Sequence, residues 1–275
     1  MRRILCLVAC VAVAGLVAAP ASAQYQYPRY QASNPATGER YHVEVAGGFW
    51  NPTPQATISS ESLGIIGTDI DLVTDLGITK TRFKEFRLVL RPATKHKFRF
   101  TYIPINYVSE SVMRREIVFN GIKFNVGLPV NSTISWKTMR IGYEYDFLYR
   151  DNWFVGLLLD VKYTDVEATL ESPIDEEWTR ARGPIPAIGG IARVYLARNV
   201  SITGEMTGMK LPESVDKDKR YEGRYIDYDI YGTINFTDYV GAMVGYHSID
   251  ANYRNKSDAG ALKVKGLYFG GVVRF

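Results

Sequence analysis

Asp229 and His247 are the residues whose types and spacing put acid–base chemistry within reach. If Phe236 pairs with Val240 across a three-residue turn, Asp229 lies opposite His247 on the next strand, and both face one side. An aspartate beside an imidazole can orient and charge it for base catalysis. The same pair serves equally as a buried salt bridge. No serine stands beside it, because Ser248 points to the opposite face. His42 starts a strand and His96 flanks a turn, so neither joins the pair. Asp69-Ile70-Asp71 with Asp75 resembles a calcium loop, but it lacks the glycine at position six and the closing glutamate. Pro184-Ile185-Pro186-Ala187-Ile188-Gly189-Gly190 could suggest a phosphate cradle, yet no helix follows it. Its prolines mark a strand start and its glycines allow curvature. No catalytic residue, metal or cofactor is predicted.

The remaining polar chemistry is a set of charges at alternate positions. From Tyr41 onward the period is two. Between Tyr225 and Phe236, Ile226, Tyr228, Ile230, Gly232, Ile234 and Phe236 share one face, and Asp227, Asp229, Tyr231, Thr233 and Asn235 the other. Between Trp136 and Phe147, Met139, Ile141, Tyr143, Tyr145 and Phe147 alternate with Thr138, Arg140, Gly142, Glu144 and Asp146. The apolar face would be the core of a soluble sandwich, or the lipid face of a membrane barrel.

Connection lengths favour the barrel. Ten strands are predicted at about 41–50, 82–91, 96–107, 136–148, 153–168, 186–197, 200–210, 224–236, 240–253 and 262–275. Short connections follow strands two, four, six and eight. Long ones follow strands one, three, five and seven, at about 51–81, 108–135, 169–185 and 211–223. All tight turns then fall at one end, with both termini, as in outer-membrane barrels with short periplasmic turns. The expected fold is all-β: a transmembrane antiparallel up-and-down β-barrel of about ten strands. Glu116 to Val126 contains Asn120-Gly121 between β-formers and is expected as a hairpin within the second long loop. Its insertion would make twelve strands; loss of the first two from the wall would leave eight. Ile65 to Ile78 is apolar enough to pack on the barrel mouth, or to act as a lid. Phe98, Phe147, Tyr149, Trp153 and Tyr239 crowd the turns and fit an interface girdle.

Parity places Glu44, Glu85, Arg87, Arg99, Arg140, Glu144, Asp146, Asp160, Lys162, Arg193, Glu205, Asp227, Asp229, His247 and Arg274 inside. Eight strands leave an interior that side chains just fill, and ten leave little more. Opposite charges are therefore expected to pair across strands and plug the lumen. The competing reading is a charged constriction for small solutes.

Composition bounds the rest. Met1-Arg2-Arg3, the uncharged run Ile4 to Ala19 and Ala21-Ser22-Ala23 read as a Sec signal peptide over 1–23. Leu7-Val8-Ala9-Cys10 also suggests a lipoprotein box, but the run before Cys10 is too short and continues past it. Both cysteines, Cys6 and Cys10, would be removed, which excludes disulfides and thiol chemistry. Removing Arg2 and Arg3 from the 33 basic residues leaves 31 against 29 acidic ones, no signature for nucleic acid. Residues 24–40 are polar, with Pro28, Pro35 and Gly38, and read as a flexible periplasmic lead; 41–275 form the barrel.

The chain ends Gly266-Leu267-Tyr268-Phe269-Gly270-Gly271-Val272-Val273-Arg274-Phe275. Phe275, Val273, Gly271, Phe269 and Leu267 share one face. This last strand, closed by phenylalanine, resembles the C-terminal signature of bacterial outer-membrane β-barrel proteins of the small OmpA, OmpX and porin-like type. The resemblance implies the Gram-negative outer membrane. It also implies assembly through Phe275, Val273 and Phe269 by the barrel-assembly machinery with periplasmic chaperones, and contact with outer-membrane lipids and lipopolysaccharide. The expected function is a non-enzymatic barrel, structural or a narrow channel or carrier for small or lipidic solutes. A small-molecule or lipid ligand is an allowed partner. An outer-membrane hydrolase or acyltransferase, and adhesion through the long loops, are the alternatives. Omptin proteases have ten strands with acids and histidines at the extracellular rim, and no histidine here falls in an extracellular loop. Outer-membrane lipid hydrolases use a lipid-facing His–Ser pair, which the spacing does not supply.

Overall fold

The computed structural model describes residues 34–60, 68–119, 121–173, 176–210, 221–255 and 258–275. The proposed signal peptide and residues 24–33 lie outside them. The strands in chain order are β1 (Val43–Ser60), β2 (Ile70–Asp71), β3 (Phe83–Ala93), β4 (His96–Val112), β5 (Ile117–Phe119), β6 (Ile122–Phe124), β7 (Pro129–Arg150), β8 (Trp153–Glu171), β9 (Glu176–Ala197), β10 (Val200–Lys210), β11 (Tyr221–Asn235), β12 (Val240–Asn255) and β13 (Asp258–Arg274).

Ten of them form one antiparallel ring in the order β1, β3, β4, β7, β8, β9, β10, β11, β12, β13. Pairing of β1 with β13, from Glu44 opposite Arg274 onward, closes it. Closure pairs the first wall strand with the last, so the ring has no terminal edge strand. The wall contains every strand expected from the alternation, and the count is ten, not eight or twelve. The short β2 pairs only with β1. The β5–β6 hairpin stands apart from the wall, and its Gly121 takes φ 84°, the left-handed geometry that suits glycine in a two-residue turn.

The wall is apolar outside and charged inside. Ile141, Ile188 and Leu267 are 63%, 61% and 62% exposed, whereas their neighbours Arg140, Ala187 and Tyr268 are buried. Hydrocarbon, not water, is the medium such a wall fits. At the closing seam the backbones of β1 and β13 approach closely. A Cβ on Gly270 would sit 2.5 Å from the Gly47 carbonyl oxygen. Only glycine allows that approach.

One local irregularity corrects the simple alternation. In β7 the pairing with β8 shifts between Tyr145 and Leu148. This bulge turns Asp146 inward and both Phe147 and Leu148 outward, so Tyr149 points inward. Phe98, Phe147 and Tyr239 stand exposed near the turns, but Tyr149 is buried and belongs to the lumen.

The interior is stratified. Its short-turn half holds the charges. Its long-loop half is an apolar core in which Trp50, Ile103, Ile105, Trp136 and Val264 from the wall meet Ile70, Leu72, Leu76 and Ile78 from the first long loop. Ile117, Phe119 and Phe124 of the hairpin join them. Thr68 donates its backbone N–H to the Val118 carbonyl, tying loop to hairpin. Asp71 caps the loop's turn by accepting the N–H groups of Val73 and Thr74. Asp75 takes two hydrogen bonds from Arg115. These two carboxylates serve the turn and an ion pair. The Arg115 guanidinium bonded to Asp75 lowers that carboxyl below its ordinary range.

Candidate functional site: the charged lumen

The lowest tier lies at the short-turn mouth. Residues 36–39 cross it, hydrogen-bonded to three separate turns. Ala36 donates to the Asp151 carbonyl, Thr37 to the Arg198 carbonyl, and Gly38 to the Asp238 carboxylate. Asn235 donates to the Thr37 carbonyl. This strap delivers Glu39 into the lumen. Arg193 of β9 reaches it at 2.9 Å, Arg91 of β3 at 3.2 Å, and the Tyr195 hydroxyl donates to it at 2.6 Å. Burial alone would raise this carboxyl, but Arg193, Arg91 and Lys97 outweigh it and hold Glu39 at about 2. Nearby, Arg274 pairs with Glu44 at 2.5 Å.

The middle tier spans the lumen. Lys97 lies between Glu144 at 2.6 Å and Asp146 at 2.9 Å. Arg99 bridges Glu144 at 3.2 Å and Glu205 at 2.5 Å. Arg140 holds Glu205 at 2.9 Å and Asp160 at 3.3 Å. Glu205 on β10 thus ties together β4 and β7, strands on another part of the ring. Arg193 also donates to Thr203 of β10 at 2.8 Å.

The upper tier underlies the apolar core. Arg87 contacts Glu85 at 2.5 Å and Asp229 at 2.7 Å. Lys162 pairs with Asp227 and donates to Thr207. Asp229 does lie opposite His247 in the strand register. The imidazole nevertheless bonds the diagonal neighbour Asp227, Nε2 to Oδ1 at 2.8 Å. Asp229 is occupied by Arg87 and by the Tyr268 hydroxyl at 3.1 Å. The Trp50 ring, 4.9 Å from the imidazole, packs on His247. The expected Asp229–His247 pair is therefore corrected to Asp227–His247, since a diagonal neighbour remains within side-chain reach.

Every residue of the inward set is buried or nearly so, with Arg87 the most accessible at 12% of its side chain. Glu39, Arg91 and Lys97 extend that set. Lys97 shares the parity of Arg99, and Arg91 that of Arg87, so alternation could have found both. Glu39 precedes the first strand and has no periodic signal. Among the described residues, nine buried carboxylates (Glu39, Glu44, Glu85, Glu144, Asp146, Asp160, Glu205, Asp227, Asp229) face eight arginine and lysine side chains (Arg87, Arg91, Lys97, Arg99, Arg140, Lys162, Arg193, Arg274) and His247. A near-neutral, cross-linked interior is the arrangement in which buried charge is tolerable. Its chemistry is cohesion between strands. His42 and His96 lie at the short-turn end, bonded to the Arg91 carbonyl and the Tyr143 hydroxyl.

No family model matches the chain, and no curated protein matches it. Solved structures do. The outer membrane protease OmpT of Escherichia coli is 8% identical, with 88% of this chain and 99% of that one covered and a TM-score of 0.58. OprG of Pseudomonas aeruginosa (11% identical, 89% and 99% covered) and the attachment invasion locus protein Ail of Yersinia pestis (9%, 85% and 97%) have TM-scores of 0.37 and 0.36. In ring closure, strand number and inverted polarity, the chain has the ten-strand antiparallel barrel fold of bacterial outer-membrane proteins.

Proposed function

We propose that this chain is an integral, non-enzymatic barrel of the Gram-negative outer membrane whose lumen is closed to free diffusion, and that it works from its long-loop end. In this reading the signal peptide over 1–23 exports the chain. Phe275, Val273 and Phe269 serve assembly by the barrel-assembly machinery, and the apolar wall meets lipid and lipopolysaccharide. The short turns are periplasmic and the long loops extracellular. The observation that carries the closed lumen is the web centred on Glu205, which Arg99 and Arg140 reach from other strands. Its side chains reach across the lumen from strands on different parts of the ring. Opening it would strip partners from buried charges, at about 3–5 kcal/mol for each broken pair. Above the web, the apolar loop core is a second barrier.

The test is conductance of the refolded protein in a planar bilayer. The closed reading expects none from wild type, alongside a folded, heat-modifiable band on a gel. Steady wild-type conductance whose ion selectivity shifts in Arg140→Ala or Asp229→Ala would replace it with a channel role. A peptidase reading has the shared fold with OmpT in its favour. Cleavage of a peptide library by the folded wild type would establish it.

A further inference from the structure

Between the charged web and the long-loop mouth lies a cavity of about 230 Å³. Its wall includes Ile134, Trp136, Val166, Ile185 and Leu262 from the barrel, and Leu72 from the first long loop. Tyr225 lines both this cavity and the polar space beneath it, with the Lys162 ammonium 4.7 Å from its ring. The tyrosine is thus the partition between an apolar chamber and a charged floor.

We infer that this chamber is a binding site for an uncharged, compact apolar molecule of about ten non-hydrogen atoms. Size sets the scale. An engineered apolar cavity of about 150 Å³ in another protein stays dry and takes up benzene; this one is about half as large again and suits a two-ring aromatic or a branched hydrocarbon. Chemistry sets the class. The Trp136 indole N–H already donates to Thr164 at 2.6 Å. Lys162, the nearest lumen cation, is held by Asp227 and Thr207. Arg182 and Arg224 also line the cavity, but both are exposed and share the strand parity of the outward residues Ile188 and Ile230; a charged ligand would be desolvated between the apolar walls, which is strongly unfavourable. An apolar one exchanges water for contacts on every side. Leu72 adds a wall from the first long loop rather than from the ring. Such binding goes beyond a closed lumen and is independent of it, because conductance and occupancy are read separately.

The probe is 1-bromonaphthalene, whose heavy atom quenches indole fluorescence. The protein is the full chain refolded in detergent and carrying Trp50→Phe, Trp153→Phe and Trp178→Phe, so that Trp136 reports alone. The expected result is saturable quenching at one equivalent. It should be abolished in Val166→Phe and in Ala251→Leu, which fill the chamber from two different strands, with the heat-modifiable band retained. Bromonaphthalene sulfonate should quench at least tenfold more weakly. Linear, non-saturating quenching that is the same in the filled variants would overturn the site. Equal saturable quenching by the sulfonate would overturn the ligand class. If both filled variants lose the folded band, a bromine peak beside Trp136 in crystals of the wild type soaked with the probe supports the site, and its absence overturns it.

Discussion

Glu39→Gln probes how the short-turn mouth is locked. The substitution keeps the shape of the side chain and removes its charge. Arg193 at 2.9 Å and Arg91 at 3.2 Å then lose their shared counter-ion in a buried setting. Arg91 keeps its bond to the residue 39 backbone carbonyl, so the strap itself stays tethered. The magnitude follows from the carboxyl's displacement from 4.5 to about 2, which is worth about 3 kcal/mol of folding free energy. Breaking a buried ion pair gives about 3–5 kcal/mol by a separate route. The sign is set by the direction. A carboxyl depressed in the folded state stabilises fully above its unfolded value, and that stabilisation fades as pH falls from about 4.5 to about 2. Urea unfolding of the refolded barrel, followed by tryptophan fluorescence from pH 7 to pH 2, measures it. The variant should be less stable by about 3 kcal/mol at pH 7 and converge on wild type near pH 2. Taking the difference between the two proteins removes the titration of every other carboxylate. A gap that stays constant with pH, or one below about 1 kcal/mol at pH 7, would refute the assignment of Glu39 as the ionic lock.

Trp50→Phe removes the indole N–H that donates to the Gly266 carbonyl at 3.1 Å across the closing seam, and should cost about 1–3 kcal/mol in the same urea assay. Gly270→Val should fold far less well than Gly271→Val, because a Cβ at 270 meets the β1 backbone at 2.5 Å while at 271 the nearest atom is 3.8 Å away; refolding yield on a heat-modifiability gel decides it. Arg115→Ala should change stability by less than about 1 kcal/mol, because the Arg115 side chain is 44% exposed and its pairing with Asp75 is screened by water and salt; loop proteolysis should rise more than global unfolding. Phe275→Ala should leave the refolded barrel's stability nearly unchanged, since the side chain is 68% exposed and its tie to Val43 is through the backbone, yet lower the amount assembled in cells, as membrane fractionation would show.

Much of this architecture is a local property of the chain. A strand period of two, short turns alternating with long loops, and an Asn-Gly pair at 120–121 are each set within a few residues. They sufficed for ten strands, their end-to-end arrangement and a hairpin outside the wall, because side-chain direction in a strand depends only on the backbone next to it. Partner choice is different. Arg99 meets Glu205 across 106 positions of sequence, and His247 takes Asp227 instead of the Asp229 facing it, since reach across a curved lumen depends on the whole ring. The bulge that turns Tyr149 inward, the strap that carries Glu39 into the mouth, and the loop that lines the apolar chamber have no periodic signature. Each exists because the closed barrel leaves a space, or a buried charge, that one particular distant segment can satisfy; only the tertiary structure decided which.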